Sequence, residues 1–185
     1  MISTNDMRPG QTLDIEGALF TIVNYQHVKP GKGQAFVKTK LKNIKSGAVV
    51  DRTFRADEKV NLAVLDKREM QYLYEDAAGL VFMDNESYEQ VHVDPGLLGE
   101  SRKFLTDGTT CLIPVYEGTP VGADLPVTLE LEVTETEPGL KGDRVAGALK
   151  AATLETGATI QVPLFVTIGD KVKVDTRSGE YISRV

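Results

Sequence analysis

The sequence predicts an all-β protein built from three small units, and three observations carry that reading. Apolar residues recur at a period near two through most of the chain, Gly-containing turns punctuate the runs at short intervals, and only one segment carries helix signals. A length of 185 residues suits one large domain or two to three small ones, and a hydrophobic share of 41% is that of an ordinary soluble chain. No apolar run approaches the about 20 residues a membrane helix needs. Met1 leads into polar Ser3, Thr4, Asn5 and Asp6 rather than a signal segment, so the expected setting is cytoplasmic, without a membrane.

In the first unit, Leu13 and Ile15, then Phe20 and Ile22, then Val37, Thr39 and Leu41 alternate with polar residues, and Glu16-Gly17 and Ser46-Gly47 mark turns. This reads as a small barrel of hairpins ending near Val64. A second set begins with Met70, Tyr72 and Tyr74, turns at Asp76-Ala77-Ala78-Gly79 and continues as a strand over residues 80–83. Asp94 as N-cap, Pro95 in the first turn, Leu97, Leu98, Phe104 and Leu105 on one face and Gly108 as terminator predict a helix. A short helix among strands suits an OB-type barrel. Asp124-Leu125-Pro126 interrupts the pattern, after which Leu129, Leu131 and Val133 alternate with Glu130, Glu132 and Thr134. Glu137-Pro138-Gly139 then opens a loop to about Ala151, long enough to point to a function. Strands over residues 159–162, 171–175 and 180–184 complete the chain. The expected domains are 1–64, 65–127 and 128–185.

Charge is unevenly spread. Residues 17 to 50 contain no acid, and Lys29, Lys32, Lys38, Lys40, Lys42 and Lys45 make that stretch +6, which leaves −12 for the remainder of a chain whose net charge is −6. Residues 104 to 140 invert the picture: Asp107, Glu117, Asp124, Glu130, Glu132, Glu135 and Glu137 stand without a Lys or Arg. The acidic run reads as solvated strand faces. So long a basic run without a balancing acid points to a polyanion.

The most unusual local sequence is the hairpin tip Lys29-Pro30-Gly31-Lys32-Gly33-Gln34. Pro30 fixes its own φ, the flanking glycines leave the backbone bare, and the Lys32 side chain is expected to project from a narrow turn. An ordinary exposed turn lysine fits the same residues. The tip is not a Walker-type phosphate loop, because the upstream Gly spacing and the following Ser or Thr are missing. Cys111, within Thr109-Thr110-Cys111-Leu112-Ile113, reads as a buried inert thiol; a lone Cys forms no internal disulfide. His27 fits either a phosphate contact or a strand end, and His92 the exposed face of a strand. Two His and one Cys supply no zinc framework, so no metal is expected. No nucleophile, base and orienter recommend themselves as a set, so the residues describe a binding protein rather than an enzyme, with no catalytic residue.

The stretch His27-Val28-Lys29-Pro30-Gly31-Lys32-Gly33-Gln34-Ala35-Phe36 resembles the first-domain tip of the bacterial translation elongation factor P family. Lys150, Ala152, Gly157, Ile160, Val162, Pro163, Val166 and Gly169 stand in the order and spacing of that family's C-terminal signature, and the last twelve residues, from Val174 to the end, agree as well. The resemblance covers the whole chain. It implies a KOW or SH3-like domain followed by two OB-fold domains in an L-shaped, tRNA-like arrangement.

It also implies a monomeric factor that binds the ribosome between the P and E sites when consecutive prolines stall peptidyl transfer. Carried onto this sequence, Lys32 is the residue that reaches the CCA end of P-site peptidyl-tRNA, with Pro30, Gly31 and Gly33 shaping its turn. The family uses several covalent extensions at this residue, each attached by a modifying enzyme, and some members work bare; no other cofactor is implied. Lys29, Lys38, Lys40, Lys42 and Lys45 are candidate contacts to rRNA and tRNA, and Tyr181 and Arg184 match positions used against P-site tRNA, although Tyr181 also fits the barrel core. The loop over residues 142–149 departs from the family, where many members carry Thr-Ala-Thr-Gly-Gly after Gly-Asp. Here Arg144 adds charge and Val145 and Leu149 add bulk, so codon reading does not carry over and Arg144 is expected as a phosphate contact. Two rivals stand beside this reading. One is a swinging-arm carrier with a modified Lys; the other is a generic OB-fold protein that binds single-stranded RNA.

Overall fold

The computed structural model of the protein describes residues 1–139 and 147–185, and these form three antiparallel sheets. The chain divides into two compact units, Met1–Arg68 with Ile113–Ala123, and Glu69–Leu112 with Asp124–Val185. No described helix is long and apolar enough to cross a membrane.

The first sheet contains β1 (Ile2–Ser3), β2 (Thr12–Ile15), β3 (Ala18–Val28), β4 (Phe36–Asn43), β5 (Val49–Arg55) and β6 (Lys59–Ala63), in the order β1-β6-β2-β3-β4-β5. Its core is Met7, Leu13, Ile15, Ile22, Leu41, Phe54 and Val60, with Phe20 and Tyr25 packed at the margin. The alternation along β4 is strict. Val37, Thr39 and Leu41 are buried while Lys38, Lys40 and Lys42 face solvent. A bulge between Ile22 and Asn24 leaves Val23 half exposed and re-phases β3 against β4. Tyr116 lies in the same unit, and its hydroxyl donates to Asp14 Oδ2 at 3.1 Å. That hydrogen bond to a carboxylate keeps the phenol protonated, above its ordinary pKa.

The second sheet runs β11-β10-β7-β8-β9, formed by β7 (Asp66–Asp76), β8 (Gly79–Asp84), β9 (Gln90–Val93), β10 (Thr110–Tyr116) and β11 (Thr119–Pro120). Period two fails along β7, where a bulge between Tyr72 and Tyr74 buries Tyr72 against Phe82, ring centroids 5.5 Å apart, and turns Tyr74 outward. The third sheet comprises β12 (Thr128–Thr136), β13 (Leu149–Leu154), β14 (Thr159–Pro163), β15 (Lys171–Asp175) and β16 (Tyr181–Arg184), ordered β14-β13-β12-β15-β16. Strand β13 begins at Leu149, so the loop opened by Glu137 ends earlier than the expected Ala151. In the turn after β15, Asp175 accepts from the Arg177 and Ser178 amides and pairs with the Arg177 side chain. Together these hold its carboxyl down at about 2.

The expected helix is not α-helical. Asp94 caps as predicted, its Oδ1 accepting from the Gly96 amide at 2.8 Å, but the segment is two short 3-10 pieces, Pro95–Leu97 and Gly99–Phe104. Gly99 at φ +55 leaves the right-handed region and stops an α ladder from propagating, and Leu105 is already extended, ahead of the predicted terminator Gly108. The segment still delivers its aromatic residue. Phe104 is 1% exposed among Leu131, Val133, Ala152, Leu154 and Val174 of the third sheet, and a Cβ on Gly179 would stand 3.5 Å from its ring. Phe104→Ala is therefore expected to cost about 3–5 kcal/mol of stability, by deleting a fully buried ring from a close-packed core. Urea unfolding of both proteins checks it, and a loss below about 1 kcal/mol would mean that the ring is not part of that core.

Candidate functional site

Antiparallel pairing carries β3 and β4 outward together, through His27 opposite Val37 and Val28 opposite Phe36, and residues 29–35 close the hairpin. The Ala56 amide donates to the Ala35 carbonyl at 3.1 Å and ties down the base of the tip. Lys29, Pro30, Gly31, Lys32, Gly33 and Gln34 are all exposed. The turn uses one of its two glycines for special backbone geometry: Gly33 sits at φ +111, whereas Gly31 does not take a positive φ. A Cβ on Gly31 would meet nothing within 4 Å, so the turn stands clear of the body. Lys32 has no ion pair or hydrogen bond to any described residue.

Below the tip the outer face of β3, β4 and β5 is cationic. Cross-strand rungs align Gln26 with Lys38 and Thr53, Asn24 with Lys40 and Asp51, and Thr21 with Lys42 and Val49. Lys38 Nζ lies 5.8 Å from the centre of the half-buried Phe36 ring, at the root of the tip. Lys45 is exposed in the turn after β4, where Asn43 Oδ1 accepts from its amide at 2.9 Å. The fold thus brings Lys29, Lys32, Lys38, Lys40, Lys42 and Lys45 onto one hairpin and its turns. Sequence reasoning missed the polar partners on the flanking strands, Asn24, Gln26, Asp51 and Thr53, which only the strand register puts beside the lysines.

Tyr181 and Arg184 lie on β16, in the other unit. Tyr181 is half-buried and packs on the third-sheet core. Arg184 stacks over the exposed Phe165 ring at 5.3 Å, and its Nη1 is 3.6 Å from Asp170 Oδ2, so its guanidinium is held rather than free. Hydrogen bonds from the Thr167 amide and hydroxyl, with Arg184 beside it, keep the Asp170 carboxyl below its ordinary range. Arg144 and residues 142–146 of the departing loop lie outside the described residues. His27 is exposed in β3, and His92 is exposed with Nε2 2.9 Å from Asp76 Oδ2. Among the described residues no group of His, Cys, Asp and Glu is placed to hold a metal.

The small β domains and the lysine-bearing hairpin fit the families that the chain matches. Residues 3–60 match the family described as "Elongation factor P (EF-P) KOW-like domain", residues 65–123 its "OB domain", and residues 129–184 "Elongation factor P, C-terminal". The chain is 55% identical to the elongation factor P of Beutenbergia cavernae across the whole of both chains, and 54% identical to that of Moorella thermoacetica, again across the whole of both. Its fold is similar to that of a eukaryotic translation initiation factor 5A from Methanococcus jannaschii, at a TM-score of 0.57 and 22% identity over 67% of this chain and 91% of that one. The chain belongs to the elongation factor P family.

Two outcomes follow from these surroundings. Lys32→Ala is expected to shift stability by no more than about 0.5 kcal/mol in urea unfolding, because the side chain is exposed and has no hydrogen bond or ion pair to a described residue. Cys111 is 1% exposed, and burial pushes its thiol up to about 12. Folding therefore favours the protonated thiol, and the stability this contributes is complete below the ordinary thiol range and is lost as pH rises toward about 12. Iodoacetamide at pH 8.5 is expected to leave Cys111 unmodified until denaturant is added; rapid alkylation of the native protein would contradict that burial.

Proposed function

We propose that this chain acts in the cytoplasm by binding the ribosome between the P and E sites, where its Lys32 tip positions the CCA end of P-site peptidyl-tRNA and promotes peptide-bond formation at consecutive prolines. The observation that carries this reading is the exposed Lys32, without an ion pair or hydrogen bond among the described residues, at the end of a paired hairpin whose outer face bears a row of lysines. Two registered strands make a stiffer support than a loop, so the cation is presented at a defined distance from the surface that binds.

Proline attacks slowly because its nucleophile is a ring-constrained secondary amine. A cation held against the tRNA end restricts the ester to a reactive pose, which lowers the entropic part of the barrier. Lys32 adds electrostatic stabilisation near the phosphates of the CCA end. The factor contributes no acid, base or nucleophile to the step, and the ribosome forms the bond. A group attached to Lys32 Nζ by a modifying enzyme would lengthen the same arm, and the open turn leaves room for it; the intact mass of protein from its host reports whether one is present. Binding of single-stranded RNA through the OB sheets is the weaker reading, because the exposed face of β12 presents Glu130 and Glu132 rather than basic and aromatic residues.

In a reconstituted translation system, Lys32→Ala is expected to lose rescue of a consecutive-proline template while still binding ribosomes, and full rescue by the variant would overturn the role of the tip. Ribosome affinity is expected to fall with salt at a logarithmic slope of roughly −2, from about three engaged phosphates at ~0.7 each. Neutralising Lys40 and Lys42 together is expected to flatten that slope; an unchanged slope would remove the lysine row from the interface.

A further inference from the structure

The outer face of the first sheet contains an anion that a phosphate-binding surface has no use for. A shallow, open groove of about 460 Å³ runs across β3, β4 and β5, lined by Asn24, Gln26, Lys38, Lys40, Asp51 and Thr53 among others. Asp51 stands directly opposite Lys40 in the β4 to β5 register, yet neither forms an ion pair with a described residue. The carboxylate therefore remains as an exposed acceptor within a row of cations.

We propose that this groove selects RNA over DNA, with Asp51 accepting a hydrogen bond from a ribose 2′-hydroxyl while Lys38 and Lys40 hold the neighbouring phosphates. The inference deepens the ribosome-binding reading and rests on it. Alternate residues of a strand are roughly 6.7 Å apart, so Lys38, Lys40 and Lys42 form a ladder whose step is comparable to the separation of successive phosphates on one strand. An ionised carboxylate only accepts hydrogen bonds, and it repels any phosphate placed over it. A backbone lying along the ladder with its phosphates over the lysines gains a further hydrogen bond only if it brings a donor over Asp51. The sugar-phosphate backbone of DNA has no donor to offer. That of RNA has one in each nucleotide, the 2′-hydroxyl. Thr53 and the amides of Asn24 and Gln26 both donate and accept, so they can bind either backbone and do not discriminate.

The test compares the full chain binding to fluorescent RNA and DNA hairpins of one sequence, in one buffer at one salt concentration. The native protein is expected to prefer RNA by about tenfold, the size of one charge-assisted hydrogen bond. Asp51→Ala is expected to remove most of that preference, by weakening RNA binding and strengthening DNA binding together. Equal affinities for RNA and DNA in the native protein would overturn the proposal, as would an Asp51→Ala variant that binds both more tightly by one factor, since Asp51 would then be a repulsive charge alone. A preference that changes with the base sequence of the hairpin would also overturn it, because the carboxylate would then be reading a base. Lys38→Ala and Lys40→Ala are expected to weaken both ligands alike. If neither substitution affects either ligand, the face does not bind nucleic acid at all, and the ribosome-contact reading of the lysine row fails separately from the selectivity.

Discussion

The register of β4 against its two neighbours is the constraint on which the candidate interface depends. Val37, Thr39 and Leu41 must lie in the core of the first sheet, and the two-residue repeat of a strand then places Lys38, Lys40 and Lys42 on the other side. A slip by one residue would bury three ammonium groups and expose three core positions. The desolvation of those charges forbids that alternative, so the packing that stabilises the sheet is also what aligns its cations. The hairpin tip inherits the same order, because Val28 and Phe36 are the last pair before it.

Much of this was legible in the sequence because it is local. Alternation identifies β4 and β12, Glu16-Gly17 and Ser46-Gly47 mark turns, and the acid-free stretch locates the basic hairpin. What was not legible depends on contacts remote in sequence or on a single backbone angle. The pattern of apolar residues after Asp94 fits a helix, and only the left-handed conformation of Gly99 reduces it to two 3-10 pieces. A bulge turns Tyr74 out of a run that alternation would bury throughout. Asp51 belongs to an unremarkable strand until the register places it opposite Lys40. In the C-terminal strands, matching Arg184 to a tRNA contact says nothing of the Phe165 ring and Asp170 carboxylate that hold it.

The uneven charge has a physical role apart from any single contact. A chain with a uniformly basic surface would bind every exposed phosphate on a ribosome. Here the acidic run of residues 104 to 140 and the acid-free run of residues 17 to 50 are separate in the sequence, and the negative charge of the acidic run disfavours contact with phosphate there.

Phe104 illustrates how such a chain is joined. It stands before β10 in the polypeptide, yet its ring fills the interior formed by β12, β13 and β15, with Gly179 leaving the space it occupies. An isolated C-terminal fragment starting at β12 would carry every strand of its sheet and still lack one wall of its interior. A fragment that keeps this interior whole must therefore include the 3-10 segment, and with it β10 and β11 of the second sheet. Exchange of C-terminal barrels between related factors would preserve packing only where the segment between β9 and β10 carried an aromatic ring that fits the incoming interior.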